Sequence, residues 1–249
     1  MAIILKTPSE MATMREAGRI VANTLTYMRD LVKPGVTTAD LDAKADAFIR
    51  RHNAKPSFKG YNGFPASICV AVNDQVVHGI PGSRRLEEGD IITIDIGANY
   101  RGLHGDAAVS FPVGQISAEA QRLLDVCQAA LRIGIEEART GRHLTDIGGA
   151  IQAYVEGQGF SVVRQYCGHG VGRHLHEDPQ VFHHGPAGKG PVLRRGMVLT
   201  IEPMINAGKP DTRVLDDKWT VLTSDGSLSA QFEHTVAITE DGPRLLTLP

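Results

Sequence analysis

The chain has 249 residues, a formal net charge of −2 and a pI near 6.5. That length can bury a sizeable core, but its basic residues sit in scattered pairs such as Arg50-Arg51 and Arg194-Arg195, so duplex DNA is not expected as a partner. No apolar run reaches membrane-spanning length, the start MAIILKTPSE turns polar too soon for a secretory signal, and three cysteines (Cys69, Cys127, Cys167) lack CxxC spacing, which together point to a soluble cytoplasmic protein.

Thr7-Pro8-Ser9-Glu10 is a capping box with proline at the first helical position, and Met11, Met14, Ala17, Ile20, Val21, Leu25 and Met28 follow at helical spacing. This first helix should end before Pro34-Gly35. Thr37 or Thr38 opens a second helix through Leu41, Ala45, Phe48 and Ile49. Strands are expected over 67–77, 90–96 and 105–112. Ser117 and Thr145 then open a second helix pair, separated at Gly141, and strands are expected over 161–166, 197–204 and 230–239. Two-residue alternation places Thr93 and Asp95 on one face and Ile92, Ile94 and Ile96 on the other, and Thr200 and Glu202 repeat the arrangement.

The order helix, helix, strands occurs twice because the chain is internally duplicated. GDIITID (Gly89 to Asp95) and GMVLTIE (Gly196 to Glu202) are one pattern ending in a carboxylate. Leu86 and Leu193 keep the same offset, QVVH ending at His78 echoes QVFH ending at His183, and DAAV from Asp106 resembles EHTV from Glu233. The chain therefore reads as one domain over 1–249, with halves of about 1–115 and 116–249.

Asp95, Asp106, Glu202 and Glu233 all lie in or beside apolar strands, where an ionised carboxylate costs roughly several kcal/mol unless a cation or donors meet it. GHG at 168–170 adds His169, flanked by glycines that let the backbone pass close to another group. Four carboxylates and one imidazole suit hard to borderline divalent ions, two of them about 3.5–4 Å apart when carboxylates bridge. Other chemistries fit poorly. The Gly168-x-Gly170-x-Gly172 run has Arg173 where a dinucleotide fingerprint needs glycine, the HEDPQ segment from His176 carries Pro179 against a zinc-protease helix, and no G-x-S-x-G elbow exists.

The segments VNDQVVHGIPG, IDIGANYRGLHGDAAVSF, YCGHGVGRHLHEDP, LTIEPM and QFEHT, with the opening LKTPSEMATMREAGRIVA, resemble the bacterial type I methionine aminopeptidases along nearly the whole chain. The resemblance implies an α+β pita-bread fold, two pseudo-symmetric halves around a curved antiparallel sheet with helices outside. It implies two divalent metal ions (cobalt, manganese, iron or zinc), with Asp106 and Glu233 bridging, His169 and Glu202 completing one ion and Asp95 chelating the other. By the same resemblance His78, His176 and Glu202 are catalytic, and Tyr61, Phe64, Cys69, Leu175 and Trp219, with the two histidines, bind a substrate methionine. The implied substrates are the N-termini of nascent polypeptides with a small second residue, and ribosome contact is compatible with that task. No coiled-coil seam demands a dimer, so a monomer is expected. The short Glu202-to-Glu233 stretch leaves no room for the helical insertion of type II relatives. Two alternatives remain on the same fold: a proline-directed peptidase and a non-catalytic binding module.

Overall fold

Four helices and a set of short antiparallel strands make up residues 2–249, the residues described by this computed structural model. Helix α1 (Pro8–Leu31) begins at Thr7, whose hydroxyl accepts from Glu10 N at 3.2 Å while the Glu10 carboxylate accepts from Thr7 N at 2.9 Å. Such a cap is worth about 1 kcal/mol. Its expected apolar positions, except half-exposed Met11, are buried. Helix α2 (Thr38–Arg51) repeats the box with Thr37 and Asp40, and α3 (Ala118–Glu137) is capped by Ser117. Helix α4 (Leu144–Gly157) starts earlier than expected, because His143 holds the cap position and donates its N–H to Asp146 Oδ2 at 2.9 Å. Thr145 instead exchanges hydrogen bonds with the Lys189 backbone.

The central strand of each half is flanked alike. Ile91–Tyr100 lies between Cys69–Val72 and Leu103–Pro112, and Val198–Ile201 lies between Gly168–Gly170 and His234–Thr239, all antiparallel. Matching contacts recur at the joints. Thr37 bridges Arg85 as His143 bridges Val192, and Gly35 N donates to Leu86 O as Gly141 N donates to Leu193 O. Ile92, Ile94 and Ile96 are fully buried in the core shared with α1 and α2, which turns Thr93 and Asp95 to the opposite face. A second core joins α3 and α4 to Leu199, Ile201, Val236 and Ile238. The halves meet where Glu233 N donates to Ala108 O at 2.9 Å and Asp106 N donates to Thr235 Oγ1 at 3.0 Å.

Three expected strands are broken in two. Residues 67–77 turn at Asn73, which takes a positive φ. Residues 197–204 stop at Ile201 and resume as Met204–Asn206, since Pro203 has no N–H for a ladder. Residues 230–239 divide into Ser229–Gln231 and His234–Thr239. Glu202 and Glu233 thus sit where the chain leaves one sheet for another. The strand expected over 161–166 shortens to Ser161–Val162, and the one over 90–96 runs on to Tyr100. Among the described residues no helix is long and apolar enough to cross a membrane.

Candidate active site

A cavity of about 480 Å³ opens on the face of the sheets away from the helices. It is lined by all five expected ligands, Asp95, Asp106, His169, Glu202 and Glu233, by His78 and His176, and by Tyr61, Phe64, Cys69, Leu175 and Trp219. The acids come from both halves. Asp95 stands on the Ile91–Tyr100 strand opposite Cys69, Asp106 on its hairpin partner, and Glu202 and Glu233 at the two sheet-switching breaks.

His169 Nε2 lies 3.6 Å from Glu202 Oε1 and 3.9 Å from Asp106 Oδ2. Asp106, His169 and Glu233 each present one ligand atom, all within 4.8 Å of one another. His169 Nδ1 is 2.9 Å from Gly170 O. A carbonyl only accepts, so Nδ1 carries the proton and the Nε2 lone pair faces the acids. Gly168 and Gly170 make this approach possible, since a Cβ on either would fall 2.4 Å from Thr200 O or 2.2 Å from Asp178 O.

Burial dominates the electrostatics. It lifts Asp95 to about 7, and it lifts Glu202 to about 8 with help from the Asp95 charge. Asp106 and Glu233 are pushed well above the carboxylate range by burial first and by neighbouring acids second. Burial, then His176, holds His169 down at about 3, so its imidazole is neutral. Among the described residues no lysine or arginine pairs with these four acids, and Asp95 Oδ1 and Asp106 Oδ1 are buried without a partner. Unpartnered oxygens, crowded acids and a free imidazole lone pair form an oxygen-rich donor set that divalent cations fit.

Glu202 differs from the other acids. Its Oε1 accepts from Thr200 Oγ1 at 2.8 Å, its Oε2 from Gln231 Nε2 at 3.2 Å, and its backbone N–H donates to His183 Nε2 at 3.0 Å. Thr200 Oγ1 also accepts from His169 N at 2.9 Å, so one hydroxyl steadies two of the expected ligands. Strand alternation places Thr200 on the acid-bearing face, but no motif in the chain assigns Thr200, Gln231 or His183 a role. The QVVH/QVFH echo did flag His183, yet His78 lines the cavity while His183 is fully buried behind it.

The apolar wall is one cluster. Phe64, Cys69 and Leu175 pack with Phe58 and Ala66, flanked by Tyr61, Ile80 and Trp219. Phe64 meets Trp219 edge-on at 5.1 Å. Phe58, which sequence reasoning missed, presses on Gly97, where a Cβ would come within 2.8 Å of its ring. His176 Nδ1 is 2.7 Å from the Tyr61 hydroxyl, and its ring packs edge-on against that of His169. Burial lowers both His176 and His78, the latter to about 4. The turn bearing His176 is pinned from behind: buried Lys6 Nζ reaches Glu177 Oε2 at 2.6 Å, and Glu177 Oε1 accepts from His174 N at 3.1 Å.

Residues 12–240 match the model of metallopeptidase family M24. The chain is 57% identical to methionine aminopeptidase 1 of Bacillus subtilis, over 98% of this chain and 99% of that protein. It is 45% identical to the Escherichia coli methionine aminopeptidase, over 100% of this chain and 95% of that one. The crystal structure of methionine aminopeptidase from Rickettsia prowazekii superposes with a TM-score of 0.98 at 46% identity, covering 99% of this chain and 100% of that one. Prolidase from Pyrococcus furiosus shares the fold alone, with a TM-score of 0.82 at 24% identity over 99% of this chain and 66% of its own. The chain belongs to metallopeptidase family M24 and, within it, to the divalent-metal-binding bacterial methionine aminopeptidases.

Proposed function

We propose that this chain removes the N-terminal methionine from nascent polypeptides, preferring a small second residue, as a cytoplasmic monomer that meets its substrates near the ribosome. The observation that carries the reading is that four carboxylates from both halves line one cavity with His169, beside an apolar pocket of Phe64, Cys69, Leu175 and Trp219. In this reading Asp95, Asp106, His169, Glu202 and Glu233 would hold two divalent ions. Cobalt, manganese, iron or zinc would suit these ligands. Such ions, when bound, supply a nucleophilic water near neutral pH and Lewis acidity toward the scissile carbonyl.

The remaining work falls to side chains. Glu202, whose carboxylate is oriented by Thr200 and Gln231, takes a proton from the attacking water and passes it to the leaving amine. With the Tyr61 hydroxyl donating to His176 Nδ1, His176 Nε2 carries its proton and donates to the carbonyl oxygen as negative charge develops there. His78, neutral at physiological pH, steadies the peptide nitrogen on the leaving side. Cys69 stays a neutral thiol because burial and Asp95 raise its pKa, so it offers sulfur contact to the substrate thioether. The test is hydrolysis of Met-Ala-Ser, Leu-Ala-Ser, acetyl-Met-Ala-Ser and an Xaa-Pro peptide by metal-replete protein. Only the first should be cleaved well, and equal cleavage of the three Ala-Ser peptides overturns the assignment.

A further inference from the structure

Pairing on the Val198–Ile201 strand ends at Ile201, and Pro203 follows at once. The Glu202 N–H therefore has no carbonyl to meet. It meets a ring nitrogen instead, His183 Nε2 at 3.0 Å, supplied by a fully buried side chain two residues past the Glu177–Val181 strand. A ring nitrogen that accepts from N–H cannot itself carry a proton, so the proton is on Nδ1, which is buried with no hydrogen-bond partner. A buried unpaired donor works against folding. The ring nitrogen that is engaged is the one turned to Glu202.

We infer that His183 is a positioning residue for Glu202: by accepting the backbone N–H where the ladder stops, it fixes the peptide plane from which the carboxylate is aimed at the cavity. Thr200 and Gln231 orient the two carboxylate oxygens, and His183 orients the root of the side chain. The inference rests on the reading of Glu202 as a metal ligand.

The test replaces His183 by Leu and by Gln and titrates the metal-stripped proteins calorimetrically with Mn²⁺, with the Co²⁺ absorption spectrum as a second readout. H183L leaves the Glu202 N–H unpaired in place of the Nδ1 N–H, one donor for another, so its melting temperature should move little while affinity for the first ion falls about 10–100-fold. H183Q, whose amide oxygen can accept the same N–H, should recover most of the affinity and the wild-type spectrum. Wild-type affinity and spectrum in H183L overturn the inference, as does a loss that tracks melting temperature equally in both variants. E202Q serves as the control: if it binds Mn²⁺ as wild type does, the ligand reading itself fails. Should H183L not fold, ¹⁵N spectra of histidine-labelled wild type decide the matter, since a protonated Nε2 excludes the proposed bond.

Discussion

The two copies of the duplicated strand treat their acids differently. Asp95, ending TID in the first half, keeps one buried oxygen without a partner, whereas Glu202, ending TIE in the second, has both oxygens hydrogen-bonded and its N–H engaged. The threonines that precede them diverge in the same way. Thr200 donates to Glu202 directly, while Thr93 meets Ser110 at 2.7 Å. The two acid-bearing strands share one sequence pattern, but their neighbours differ: one acid is aimed by neutral donors, and the other has a buried oxygen that none of them meets.

The largest effect is expected at Asp106, whose Oδ1 is buried without a partner. Asp106→Asn should abolish peptidase activity and eliminate tight Mn²⁺ binding in calorimetry; an active, metal-binding variant would mean that the partnerless oxygens have no cation to serve. Next in size, His176→Ala should cost about 10²–10³-fold in kcat, the usual loss for one donor to a developing oxyanion. A loss confined to KM in steady-state assays would reassign His176 to binding.

The contrast between the acids sharpens through pH. Asp95 and Glu202 are raised to about 7 and about 8, so the stability they lend as neutral acids is lost as pH rises through those values. The buried histidines are pushed below their ordinary value of 6.5 and contribute no slope well above it. Metal-stripped protein should therefore melt at a lower temperature at pH 8.5 than at pH 7, added Mn²⁺ should remove the difference, and Glu202→Gln should reduce it. A stripped protein whose melting point is level across that range would show that burial does not hold these acids neutral. The smallest effect belongs to the apolar wall. Trp219→Ala gives up the edge-on contact with Phe64, worth about 0.5–1.5 kcal/mol, so kcat/KM for Met-Ala-Ser should fall about 2–10-fold, with selectivity over Leu-Ala-Ser reduced. Unchanged selectivity would remove Trp219 from the recognition set.

Local chemistry made much of this legible in the chain alone. The Thr7 and Thr37 capping boxes needed only residues three apart, and the isoleucine alternation around Thr93 and Asp95 needed only the pleat. The repeated strand exposed two acids before any contact was known. What could not be read depends on partners distant in the chain. His143 took the cap expected of Thr145 because the Lys189 backbone claimed the threonine hydroxyl. The breaks at Glu202 and Glu233 arise because the chain there passes between sheets. Gln231 and His183 meet Glu202 only after both halves have closed.

Lys6 is far from every substrate-facing atom in sequence, yet its ammonium ends against the carboxylate that braces the His176 turn. The leading segment is thereby a strut of the cavity wall: neutralising that one cation would strand a buried negative charge beside the His176 turn and loosen it.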